Sequence, residues 1–184
     1  MRRFAHISLL ILGCDSAPMS GDEWEAVPAI AYCDDARPWD PQWTELEERT
    51  LALVNTLRSE GADCRTAGNF PKSEPLAMNP ALRCAARVHS ADMDARAFFE
   101  HTNPSGESPF VRIEKAGYVF STAGENIGGG AVDAEGVIEQ WMDSDGHCSN
   151  IMNPGFRDIG IGYHPGGEYG HLWTQTFAAP RAGD

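Results

Sequence analysis

Six histidines (His6, His89, His101, His147, His164 and His171) and five cysteines (Cys14, Cys33, Cys64, Cys84 and Cys148) carry most of the reactive chemistry open to this chain. The tightest grouping is Ser144, His147 and Cys148, a hydroxyl, an imidazole and a thiol in one short stretch. Helical spacing brings Ser144 within reach of His147, as a hydroxyl nucleophile and its base require, although a serine at a helix start is more simply a cap. Cys148 beside His147 looks like a thiol enzyme's pair, but in an exported chain with paired cysteines a disulfide is the expected state. His89 falls on the inner side of a helix and reads as a core or cleft-wall residue. His164 and His171 flank a turn and read as solvated. Gly128-Gly129-Gly130 follows no predicted strand and precedes no phosphate-type lysine, so it reads as a flexible loop.

Composition narrows the partners. The 184 residues carry 27 acidic against 14 basic side chains, a net charge of −13, and nowhere are more than two basic residues adjacent. Nucleic acid is therefore excluded as a partner, because phosphate recognition needs clustered Lys and Arg. The length suits one domain that buries its own core, so a monomer is expected. Arg2 and Arg3, the apolar run Ile7 to Leu12 and then Gly13-Cys14 read as an export signal over residues 1–13. A small residue followed by cysteine at that place resembles a bacterial lipobox, with Cys14 as the acylated residue and the sole membrane attachment. Removing Cys14 leaves four cysteines, and spacing alone allows three pairings of them.

Residues 14–39 carry Pro18, Gly21, Pro28 and Pro38 among acidic residues without any period, so they read as an acidic flexible tether. A domain over residues 40–180 follows. Asp40-Pro41 predicts a helix ending near Gly61, with Trp43, Leu46, Leu53, Val54 and Leu57 on its buried face and Glu45, Glu47, Glu48 and Arg49 elsewhere. Asn79-Pro80 opens a second helix running to about Phe99, and Ser108-Pro109 a third that closes at Gly117. Asp133 caps a fourth, with Val137, Ile138, Trp141 and Met142 apolar. Strands are predicted briefly at Tyr118 to Phe120 and as a hairpin of Asp158 to His164 with His171 to Phe177. Together these predict an α/β fold, an α-β-α sandwich around a small antiparallel sheet.

Six motifs in order now resemble one family: His89-Ser90-Ala91-Asp92-Met93, Phe98-Phe99-Glu100-His101-Thr102-Asn103-Pro104, Gly124-Glu125-Asn126-Ile127, Trp141 through Gly146-His147-Cys148-Ser149-Asn150-Ile151-Met152, Gly160-Ile161-Gly162-Tyr163 and Trp173-Thr174-Gln175. They resemble the CAP superfamily (cysteine-rich secretory proteins, SCP domain), in its bacterial branch. The resemblance implies an α-β-α sandwich with a large cleft lined by two histidines and two acidic residues. Matched position by position, these are His101, Glu125 and His147, while the second acidic position falls on Ser144. The resemblance also implies a Cys64 to Cys148 disulfide, which leaves Cys33 with Cys84.

Two imidazoles facing one carboxylate offer either a site for a divalent metal such as zinc, on His101 and His147, or a proton-transfer pair. Their separations of 24 and 22 residues are not a local ligand motif. With one carboxylate missing and no established nucleophile, the expected role is an exported or lipid-anchored envelope protein whose cleft binds a small, lipid or peptide-like ligand. The alternative is a metal-dependent, peptidase-like hydrolase with Glu125 as base.

Overall fold

A computed structural model describes residues 27–183. The export signal, Cys14 and the first half of the tether lie outside the described residues. After a 3-10 helix at Ala31–Ala36 come α1 (Pro41–Glu60), β1 (Ala62–Asp63), β2 (Asn69–Phe70), β3 (Ala77–Met78), α2 (Pro80–Ala95), α3 (Pro109–Lys115), β4 (Phe120–Gly129), α4 (Ala134–Met142), α5 (Asp145–Met152), β5 (Asp158–Pro165) and β6 (His171–Pro180). All four predicted N-caps form: the side chains of Asp40, Asn79, Ser108 and Asp133 accept from backbone N–H groups in the first turns of α1, α2, α3 and α4.

The main sheet has the order β3-β5-β6-β4, antiparallel except for the two-residue edge β3, which runs parallel to β5. Alternation along its strands makes the sandwich. Ile159, Ile161 and Tyr163 of β5, with Trp173 and Phe177 of β6, share one buried cluster with residues of α1, α4 and α5. Gly160, Gly162, Thr174 and Thr176 face α2 instead. A Cβ on Gly160 would lie 2.0 Å from the Leu82 carbonyl carbon, and one on Gly162 would lie 2.4 Å from that of Ala86. The helix therefore rests on bare strand backbone, and Ser90 Oγ donates to the Gly162 carbonyl at 2.9 Å.

The outer edge of β4 is covered rather than free. Its outward carbonyls at Glu125, Ile127 and Gly129 accept from Asn150 Nδ2 (3.2 Å), Trp141 Nε1 (2.9 Å) and Gln140 Nε2 (3.3 Å). Side chains of α4 and α5 thus satisfy groups that would otherwise invite another strand.

Several sequence expectations need correction. Residues 27–39 are not tether: Cys33 and Ala36 are fully buried, Val27 nearly so, and Arg87 lies over the Trp39 ring at 5.0 Å. A six-residue 3-10 helix is too short to show a helical period, which is why proline and acid content misled. The triple glycine is not a flexible loop. Gly128 and Gly129 end β4, and a Cβ on Gly128 would meet Val137 Cγ2 at 2.8 Å. The strand expected at Tyr118 to Phe120 starts at Phe120 and runs ten residues. The second helix stops at Ala95, four residues short of Phe99, and the fourth gives way to a separate α5. Glu47, expected on an outer face, is fully buried: Arg83 Nε (3.0 Å) and Arg87 Nη2 (2.6 Å) pair with it, and the Tyr163 N–H donates to it at 3.2 Å.

Two disulfides join Cys33 to Cys84 and Cys64 to Cys148, with Cα atoms 5.7 and 5.6 Å apart. The first staples the 3-10 segment to α2. The second ties the chain beyond β1 to α5, one residue past His147.

Candidate functional site

Glu125 sits mid-strand on β4, on the side facing α2 and α3. Its side chain is 2% exposed, and burying a carboxylate that far requires a partner. Arg112 of α3 is that partner. Its Nη2 donates to Glu125 Oε2 at 2.8 Å and Oε1 at 3.0 Å, and to the His101 carbonyl at 2.8 Å, while Nη1 donates to the Glu107 carbonyl at 2.9 Å. One guanidinium thereby fixes both the carboxylate and the loop that carries His101.

His101 Nδ1 lies 2.9 Å from Glu125 Oε1. An ionised carboxylate can only accept, so Nδ1 carries the proton of this contact and Nε2 is the ring nitrogen that Glu125 leaves unengaged. The His101 side chain is 48% exposed, so the site is open to solvent on this side.

His147 arrives on α5 from the opposite face of the strand. Asn126, the neighbour of Glu125, donates to the His147 carbonyl at 3.2 Å and accepts from Asn150 at 2.8 Å, which clips α5 onto β4. The His147 imidazole is half-buried, and burial followed by the nearby His101 holds its pKa below the usual histidine value, favouring the neutral ring. Ser144 occupies the cap position of α5 but its hydroxyl makes no cap hydrogen bond, nor, among the described residues, any bond to a histidine. It has no base.

His89 joins the site from below. It is fully buried on α2, its Nε2 lies 3.9 Å from Glu125 Oε1, and that nitrogen donates to the Glu100 carbonyl at 3.0 Å. Burial pushes its pKa down to about 4, so it is neutral at neutral pH. His164 is partly buried against Trp39 and Trp43, with Nδ1 3.4 Å from an Asp94 oxygen, and His171 Nδ1 meets the Tyr163 hydroxyl at 2.7 Å. Neither is merely solvated.

The structure thus brings His101 and Glu125 into direct contact, sets His147 near enough to His101 to feel its charge but with no hydrogen bond to either side chain among the described residues, and leaves Ser144 outside that network. Sequence reading missed Arg112. A lone arginine in a seven-residue helix is ordinarily a surface residue, and only the burial of Glu125 calls for one. No group of three or more His, Cys, Asp or Glu arranged to hold a metal ion occurs among the described residues. Cavities of about 240 to 350 Å³ open elsewhere on the surface, none lined by His101, Glu125 or His147.

A three-layer sandwich with this histidine and glutamate pairing on its edge strand defines a CAP-type domain. Residues 51–177 match the cysteine-rich secretory protein family, CAP, and the chain belongs to it. The uncharacterized protein YkwD of Bacillus subtilis (strain 168) is 42% identical over 104 residues, 56% of this chain and 39% of YkwD. The chain therefore spans well under half of that relative. An extracellular SCP-domain protein from Bacillus anthracis superposes with a TM-score of 0.58 and 26% identity, over 77% of this chain and 44% of that one. A crystal structure of NaASP2 with Zn2+ shares the fold, with a TM-score of 0.52 and 16% identity over 72% of this chain and 78% of that one.

Proposed function

We propose that this CAP domain is exported and presents its histidine pair to a small, lipid or peptide-like ligand as a recognition site rather than as a hydrolytic one. The observation that carries this reading is the Arg112–Glu125 ion pair. A carboxylate held by a guanidinium at 2.8 and 3.0 Å is a poor general base, since taking a proton would leave the arginine unpaired in a buried place. Glu125 instead orients His101, so the site offers the Nε2 edge of His101 and, on His147, an imidazole whose burial favours the neutral ring. Ser144 without a base supplies no nucleophile. Export is supported by the extracellular relative, and acylation at Cys14 by the sequence alone.

Native mass spectrometry of the purified protein after exposure to lipid and peptide pools tests the reading. Ligands retained by the wild type are expected to be lost in His101→Ala with His147→Ala. Retention of the same set by the double variant overturns it.

One feature favours a second reading, metal binding. A histidine whose Nδ1–H is held by a carboxylate is the usual arrangement of a metal ligand and its outer partner, with Nε2 left to bind. His101 and His147 would be the two protein ligands in this reading, one fewer than the three usual in catalytic zinc sites. When bound, zinc would supply Lewis-acid chemistry there. Calorimetry with zinc, with His101→Ala as control, separates the readings: micromolar binding lost in the variant favours metal.

A further inference from the structure

Four residues beyond Glu125 on the same face of β4, about 13 Å along the strand, a cavity of about 270 Å³ is walled by Met93, Phe98, Phe99, Tyr169 and Leu172, with Glu168 as its one lining carboxylate. We propose that this cavity is a binding pocket for a compact aromatic group on a neutral or cationic ligand.

Three features build it. First, β4 ends in glycine at this place: a Cβ on Gly129 would lie 3.0 Å from Tyr169 Cγ and 3.3 Å from Phe99 Cε2. The missing side chain is what lets the two aromatic rings, with centroids 4.9 Å apart, close over the strand. Second, the wall carrying Tyr169 is anchored. The turn between β5 and β6 is held to the end of α2 by Gly167 N–H donating to Asp94 Oδ1 at 2.5 Å, and Gly166 packs against the same carboxylate. Third, Tyr169 is 50% exposed, so the pocket opens to solvent through an aromatic rim.

Apolar cavities of about 150 Å³ already take up a benzene ring, so this one accommodates a bicyclic aromatic. The carboxylate of Glu168 and the chain's net charge of −13 select against anions. The pocket shares a strand face with Glu125, and Phe99 stands two residues from His101, so a ligand engaging His101 with its polar end can reach the pocket with its ring. That link rests on the binding role proposed above, whereas occupancy of the pocket does not.

The test uses indole, tryptamine and indole-3-acetate, titrated while methyl resonances of Met93 and Leu172 and ring resonances of His101 and His147 are followed by NMR. Indole is expected to shift Met93 and Leu172 with a dissociation constant on the order of 1 mM. Tryptamine should bind about 1.5 to 5 times more tightly, as an exposed ion pair allows, and indole-3-acetate more weakly than indole. Glu168→Gln should make tryptamine equal to indole, and Tyr169→Ala should weaken indole about fivefold or more. The proposal is overturned by the absence of shifts at Met93 and Leu172 at about 10 mM indole, by shifts confined to His101 and His147, or by tightest binding of indole-3-acetate. Failure of the cleft reading alone would leave the Met93 and Leu172 shifts intact.

Discussion

Arg112 Nη2 spans both carboxylate oxygens of Glu125, at 2.8 and 3.0 Å, with both side chains almost wholly buried. The same nitrogen bonds the His101 carbonyl. The ion pair therefore sets the charge at the centre of the site and the position of the imidazole above it.

Arg112→Met leaves Glu125 buried without its counter-charge, and such a loss destabilises a fold by about 3–5 kcal/mol. Urea denaturation at pH 7 should show an unfolding free energy lowered by about that amount. Arg112→Lys, which keeps the charge without the planar fork, should fall in between. A change under about 1 kcal/mol for Arg112→Met would mean that the pair contributes no more than an exposed one.

His89 makes stability depend on pH. Its folded pKa of about 4 lies below the ordinary value of 6.5, so between these values the unfolded chain binds the extra proton and folding stability rises with pH. The contribution is fully present above 6.5 and is lost as pH falls from 6.5 toward 4, on the order of 3 kcal/mol in all. His147 and His164, also depressed, act in the same direction. Denaturation between pH 5 and 7 should show this slope, and His89→Gln should flatten it. An unchanged slope in the variant refutes the assignment to His89.

Much of the scaffold was legible because its signals are local. Asp40-Pro41, Asn79-Pro80, Ser108-Pro109 and Asp133 each announce a helix through a cap and, in three of them, a proline whose missing N–H costs nothing at the first turn. The β5–β6 hairpin announces itself by alternation around a glycine-rich turn. What stayed hidden depends on contacts distant in sequence. The glycines of β4 read as loop because Val137, Trp141 and Tyr169, which exclude their side chains, arrive from elsewhere in the chain. Glu47 reads as a surface charge and Arg112 gives no signal, because nothing near either in sequence reveals burial. His101, Glu125 and His147 were found by family resemblance, since their spacing says nothing of proximity.

Gly160 carries the packing of α2 on the sheet. Its substitution by alanine would set a Cβ 2.0 Å from the Leu82 carbonyl carbon, against backbone that cannot rotate aside. Gly160→Ala should therefore lose about 3 kcal/mol or more, and Gly162→Ala a comparable amount. Gly146→Ala, where a Cβ meets nothing within 4 Å, is the matched control and should change stability by less than about 1 kcal/mol. Thermal melts of the three variants check the ranking, and equal losses at all three positions would contradict close packing of α2 on β5.

The Cys33 to Cys84 disulfide holds a segment that enters the fold ahead of α1. Across its separation of 51 residues, loop-closure entropy assigns it about 4 kcal/mol. Replacing both cysteines by serine should lower the unfolding free energy by about that amount. It should also release the segment that brings Trp39 beneath Arg87, although Arg87 keeps its pairing with Glu47. The Cys64 to Cys148 bond closes a longer loop and sits next to His147, so its loss should disturb the imidazole as well as stability. Hydrogen exchange distinguishes the two: the first double variant should lose protection around 27–39 with the amides of α5 unchanged, and the second should lose it in α5. Loss of α5 protection in the first variant would show that the segment supports the whole domain rather than one side of α2.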